Sequence, residues 1–178
     1  DIQKEFYIND AGNQIDNLAA SVEARYLELL GQTVEFPEDG YHGKDIIDTA
    51  QRILDNSGSR YLLVSPAERR EIFKQIALEE KLAALKEDLE TFGVTFDVWF
   101  SERSLFANDA VAAACAQLRE KGHAYDKDGA FWLRSTDFGD DKDRVIIRDN
   151  GIPTYFASDI AYHDNKFRRG FEKVINIW

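Results

Sequence analysis

The chain has 178 residues, of which 44% are hydrophobic and 31% charged, and its 33 acidic side chains against 22 basic ones give a net charge of −11. That is globular composition, with length for one substantial core or two small ones. It argues against strong nucleic-acid binding by the chain itself, because phosphate recognition rests on a basic patch, and no run approaches the roughly 18 apolar residues of a membrane span.

"KEFYIND" (residues 4–10) reads as a strand ending in turn residues. In residues 13–31, Ile15, Leu18, Ala19, Val22, Tyr26, Leu29 and Leu30 recur at helical spacing, with Gly31 as the stop. Strand, polar turn and helix make half of a βαβ unit. Residues 32–43 read as a loop, and 44–58 as a short helix closing on Asn56-Ser57-Gly58. The clearest helix runs from Ser65 to Gly93. Ser65 is its N-cap, Pro66 suits the first helical position and Glu68 completes a capping box. Ile72, Ile76, Leu82, Leu85, Leu89 and Phe92 mark its apolar face.

"VTFDVWF" (94–100) alternates as a strand, and "ANDAVAAACAQLREKG" (107–122) reads as one helix. Its Cys115 is expected to be a buried thiol; a single cysteine excludes an internal disulfide and fits a reducing compartment. Residues 122–138 predict a hairpin around Lys127-Asp128-Gly129. Residues 144–158 predict a second one around Asp149-Asn150-Gly151, with the strand-like run Ile152 to Ala157 as its return. A helix from about Asp159 and a strand through "FEKVINIW" (171–178) close the chain. The order predicts an α/β fold with a mostly helical insertion and β-hairpins. With no methionine and apolar runs near both ends, the chain reads as a piece of a longer protein.

General motifs are silent. His42, His123 and His163 lie too far apart for a zinc site. Asp137, Asp140, Asp141 and Asp143 lack the spacing of a calcium loop, so a solvated connection is expected. Asp137-Phe138-Gly139 spells a kinase tripeptide without the rest of a kinase. There is no phosphate-binding loop or dinucleotide fingerprint.

Three longer stretches say more. "EFYINDAGNQI" (5–15), "FDVWFSERSL" (96–105) and "GAFWLRSTDFGDDKDRVIIRDNGIPTYFASDIAYHDNKF" (129–167) resemble, in order and spacing, the bacterial arginyl-tRNA synthetases. The resemblance implies a class I ligase with a Rossmann-type catalytic domain, which activates arginine with ATP and magnesium and transfers it to the 3′ end of tRNA-Arg in the cytoplasm. It divides the chain into a Rossmann strand and helix (1–31), a helical insertion (32–128) and a return to the catalytic sheet (129–178). The family's His-x-Gly-His, Lys-Met-Ser-Lys and Gly-Ala-Asp-His signatures are absent. No catalytic or metal-ligating residue is therefore assigned, no cofactor is expected on this chain, and the chain alone is expected to be inactive.

The resemblance places Tyr155 and Asp159 in the arginine pocket. A carboxylate accepts two donors of a guanidinium fork side by side, which a lysine ammonium cannot match. Asp159 is also a candidate helix N-cap. Asn9, Asp10, Gly12 and Asn13 form a possible active-site loop where ligands of open α/β sheets bind, or a plain turn capped by Asp10 or Asn13. Trp99, Phe100 and Arg103 are expected to be core and surface. The alternative function is a non-catalytic arginine-binding or protein-interaction module.

Overall fold

The computed structural model describes residues 2–177. The chain divides into two compact units, one ending at Phe100 and the other beginning at Ser101. Helices and short strands alternate through both, an α/β chain.

The first unit opens with β1 (Glu5–Ile8), which pairs with β2 (Val98–Ser101). The pairing is extended upstream by Asp97 N–H donating to the Lys4 carbonyl at 2.8 Å and Lys4 N–H donating to the Asp97 carboxylate at 2.7 Å. Phe6 packs against Phe96 and Trp99 with ring centroids 5.2 and 4.7 Å apart, aromatic contacts that stabilise a two-stranded ribbon otherwise marginal in water.

Between these strands lie α1 (Asn13–Leu29), α2 (Lys44–Ser57) and α3 (Pro66–Thr91). The periodicity of α1 holds: Ile15, Ala19, Val22 and Tyr26 are buried, and Gly31 follows its end with φ 78°. Helix α2 turns Ile46, Ala50 and Ile53 inward to the same core. In α3, Ser65 Oγ accepts from Glu68 N–H at 3.2 Å, the N-cap bond expected from the sequence.

The buried line of α3 differs from the expected face. Arg69, Phe73 and Ala77 are buried, with Ile72 and Ile76 at their flank, whereas Phe92 is 85% exposed. The cause is Phe73, whose ring meets Tyr26 and Tyr61 edge-on at 5.0 and 5.2 Å. That aromatic triad sets the rotation of the helix, and the smaller apolar residues follow it.

The second unit holds α4 (Glu102–Ala107), α5 (Ala110–Glu120), a three-stranded antiparallel sheet and α6 (Tyr155–Arg168). The helix expected over 107–122 is α5, which starts at Ala110 rather than Ala107 because Asp109 at its N-cap has a φ of 54°, outside the right-handed helical range; α4 precedes it as a separate short helix. The sheet runs β3 (Ala124–Lys127), β4 (Ala130–Leu133), β5 (Arg144–Ile147). Lys127 pairs with Ala130 across Asp128 and Gly129, both at positive φ, the tight two-residue turn expected there.

Two strand expectations are corrected. The return strand of the second hairpin shrinks to one bridge, Ile147 to Pro153, because Pro153 has no N–H for a ladder and the helix begins two residues later. Residues 171–177 form no strand, since a strand needs a partner edge and none of the described residues supplies one; Trp178 lies outside the described residues.

Candidate functional site

Helix α6 is the element on which the expected arginine pocket falls. Its N-terminus is tied to the sheet: Thr154 N–H donates to the Ile146 carbonyl at 2.9 Å. The Thr154 hydroxyl lies 2.9 Å from the Val145 carbonyl and 3.1 Å from that of Ile146. Ala157, Ser158, Ala161 and Tyr162 form the buried face, and the helix packs against α4, α5 and β5.

Tyr155 and Asp159 therefore occupy the other face, four residues and one turn apart, where side chains of a helix stand one above the other. Tyr155 is 74% exposed. Among the described residues nothing bonds its hydroxyl or the Asp159 carboxylate. The capping role expected for Asp159 does not hold. The helix starts at Tyr155, Thr154 holds the N-cap position, and Asp159 lies in the second turn, too far along to reach the unpaired N–H groups of the first. Its oxygens are thus not divided between two tasks.

One turn further, His163 Nδ1 lies 2.8 Å from the Asp159 carbonyl, and its Nε2 lies 3.1 Å from Asn176 Nδ2. The segment after α6 is held back against the helix by this contact.

The acidic loop is internally bonded. Arg144 forks onto Asp140 at 2.7 and 2.6 Å and reaches Asp141 at 2.9 Å; this guanidinium holds Asp140 well below the usual carboxylate range. Asp143 accepts from Thr136 Oγ1 at 2.7 Å and from the Tyr125 hydroxyl at 2.8 Å, a bond that raises the Tyr125 pKa.

In the first unit, the turn between β1 and α1 carries Asn9, Asp10, Gly12 and Asn13. Gly12, at φ 85° and ψ −172°, occupies the N-cap of α1 without a side-chain cap bond, and Asn13 is the first helical residue. Neither Asp10 nor Asn13 is the cap, contrary to that expectation; Gly12 takes the place because only glycine adopts such backbone angles readily. Asp10 is buried, and Asn9 Nδ2 lies 3.4 Å from Gln14 Oε1. Asn9 and Gln14 border a cavity of about 410 Å³ with Tyr41 and His42 on its rim and Lys81 on α3 beside it. The sequence singles out neither Tyr41 nor Lys81, and His42 only as a rejected zinc ligand; packing brings the three together from residues 41 to 81, and the signal available was an aromatic and a histidine just before the helix-opening glycine, Gly43.

No protein-family model matches the chain. Across all 178 residues it is 60% identical to the arginine–tRNA ligase of Moorella thermoacetica, 57% identical to that of Carboxydothermus hydrogenoformans and 53% to that of Bacillus licheniformis. It spans 32% of the length of each. Among solved structures it resembles an arginyl-tRNA synthetase of Campylobacter jejuni with a TM-score of 0.86 at 39% identity, over 98% of this chain and 38% of that one. The arginyl-tRNA synthetase of Plasmodium falciparum shares the fold alone, with a TM-score of 0.57 at 12% identity over 90% of this chain and 27% of that one. In sequence and fold the chain thus matches, over its whole length, about a third of an arginine–tRNA ligase.

Proposed function

We propose that this chain supplies the side-chain-reading half of the arginine pocket in an arginine–tRNA ligase. In this reading Asp159 accepts two guanidinium N–H groups in parallel, and Tyr155, one turn before it, walls the pocket and offers its hydroxyl. The observation that carries it is the pair of unengaged polar groups on the outward face of a helix anchored by Thr154 and a buried Ala157–Ala161 face. A carboxylate on such a rigid support keeps its direction without a ligand. Residues 1–31 and 129–178 then belong to the catalytic domain and 32–128 to an insertion, with the turn from Asn9 to Asn13 at the mouth of the sheet.

The whole enzyme would join arginine to tRNA-Arg at the expense of ATP, with magnesium, in the cytoplasm. The nucleotide-handling signatures of the family are absent from the sequence, and among the described residues Arg52, Arg69, Lys74, Lys81 and Arg144 are each paired with carboxylates. Phosphate and magnesium contacts are accordingly assigned to other parts of the ligase, and the chain by itself is expected to give no aminoacylation.

Calorimetric titration of the chain with L-arginine, L-citrulline and L-lysine, repeated on Asp159→Asn, tests the pocket. Binding selective for arginine and abolished by the substitution is the expected result. Equal affinity for arginine and citrulline would overturn it, because citrulline keeps the shape and loses the charge.

A further inference from the structure

After α6 the chain turns back on itself. Gly170, at φ 93°, reverses the direction, with its N–H donating to the Phe167 carbonyl at 2.9 Å and that of Phe171 to the Lys166 carbonyl at 3.4 Å. This is the Schellman pattern of a helix end, which suits a glycine in the left-handed region. Residues 171–177 then return toward the helix.

Burial does little to hold them there. Phe171 and Val174 are half-buried, while Ile175 and Ile177 are 89% and 95% exposed. Among the described residues no backbone hydrogen bond ties residues 172–177 to the rest of the unit. The tie is the side chain of Asn176. Its Nδ2 lies 3.1 Å from His163 Nε2, and its Oδ1 accepts from Lys166 Nζ at 3.4 Å. Lys166 is itself placed over the Tyr162 ring, 4.0 Å from the centroid.

The partners fix which atom does what. A backbone carbonyl only accepts, so His163 Nδ1, 2.8 Å from the Asp159 carbonyl, carries the ring proton. Nε2 of the neutral ring is then an acceptor, and it faces the N–H groups of an amide. A lysine ammonium only donates, so Lys166 requires the oxygen end of the same amide. Both partners therefore select one orientation of Asn176.

From this geometry we infer that His163 is a positioning residue for arginine binding. Its ring, keyed to the Asp159 backbone on one side and to Asn176 on the other, fixes residues 171–177 as a second wall beside the face that carries Tyr155 and Asp159. Residues 155, 159 and 163 stand at four-residue intervals along one stripe of the helix. This role rests on the arginine reading of α6 and adds to it the device that keeps the facing wall in place. A wall fixed before the ligand arrives spares the cost of ordering it on binding.

Two experiments test it. Ring ¹H–¹⁵N correlation and backbone ¹⁵N relaxation of the 178-residue chain at neutral pH read the clamp. His163 is expected to be the Nδ1–H tautomer, and residues 172–177 to be as ordered as α6. His163→Ala, and His163→Asn with an amide too short to reach Asn176, are expected to release the segment. His163→Gln, whose Oε1 can take the place of Nε2, is expected to keep it.

Aminoacylation by a chimeric ligase, with this chain in place of the matching third of the Moorella thermoacetica enzyme, reads the pocket. There His163→Ala and His163→Asn are expected to raise the KM for arginine about five- to tenfold, with kcat and the KM for ATP nearly constant. His163→Gln is expected to restore most of the loss. An Nε2–H tautomer, a segment as ordered in His163→Ala as in the parent, an arginine KM unchanged in His163→Ala, or a glutamine variant no better than the alanine would each overturn this role. Asp159→Asn separates the two claims. A raised arginine KM there with none in His163→Ala strikes only the positioning role, whereas no change in either strikes the arginine reading of α6 as well.

Discussion

Glu23 Oε1 on α1 accepts Arg69 Nε of α3 at 2.8 Å, with the two side chains only 6% and 10% exposed. The other oxygen takes Arg70 Nε at 3.0 Å, and Arg69 Nη1 donates to the Tyr61 carbonyl at 3.2 Å. A nearly dry ion pair with its hydrogen bonds satisfied is costly to break by halves, because the remaining charge keeps its desolvation penalty. Glu23→Ala is expected to destabilise the chain by about 3 to 5 kcal/mol in urea unfolding. Replacing both partners, Glu23→Leu with Arg69→Met, is expected to recover most of that loss, and recovery of none would show that the pair itself holds α1 to α3.

Acid should weaken the first unit for a definable reason. Burial pushes the Glu80 carboxyl up, but hydrogen bonds from Arg52 and Thr49, with the charges of Arg52 and Lys81, outweigh it and hold the pKa below the ordinary 4.5. The bond from Lys81 likewise lowers Asp45 from 3.8. With folded values below unfolded ones, the unfolded chain binds more protons in the window between them. The stabilisation is then complete above the ordinary values and is lost as pH falls through the lowered ones. The urea midpoint is expected to be flat from about pH 7 to about pH 5 and to drop below about pH 4.5. Glu80→Gln should lower the plateau and make the drop shallower.

Cys115 is 7% exposed on α5, and burial raises its thiol pKa, with Arg119 opposing weakly. A buried thiol held protonated is a poor nucleophile. Modification by a thiol-directed disulfide reagent at neutral pH is expected to be slow in the native chain and fast in urea. Rapid native labelling would contradict the packing of α5 against α6.

Much of the helical fold is legible in the sequence because its signals are local. The 3.6-residue repeat of α1, the Ser65 cap of α3 and the positive-φ glycines at positions 31 and 93 each act within a turn or two. The errors come where distant partners decide. Ile152 to Ala157 is rich in β-formers, yet Thr154 is bonded to β5 and the helix begins at Tyr155. That shift moves Asp159 from the junction into the second turn. The buried line of α3 follows Phe73 because Tyr26 and Tyr61 meet it from other segments. The terminal "KVINI" has strand composition and no described edge to pair with.

The candidate site divides in the same way. Tyr155 and Asp159 are proposed for the pocket through the resemblance alone; local pattern marks Asp159 only as a candidate cap and Tyr155 not at all. Their shared outward face became visible only when packing buried Ala157, Ser158, Ala161 and Tyr162. The cavity rim at Tyr41 and His42 lay in a segment read as plain loop, since its meaning depends on α1 and α3 closing around it.

The measurement that bears most directly on the account is steady-state aminoacylation by a chimera, in which this chain replaces the corresponding third of the Moorella thermoacetica ligase to which it is 60% identical. The unaltered chimera is expected to charge tRNA. Asp159→Asn is expected to lower kcat/KM for arginine by about 100-fold or more, through KM, while the KM for ATP stays nearly constant, because one charge-assisted bidentate pair is removed from substrate binding. Tyr155→Phe should cost about five- to tenfold on the same parameter. An arginine kcat/KM in Asp159→Asn within about threefold of the parent chimera would contradict the assignment of Asp159 as the residue that reads the guanidinium.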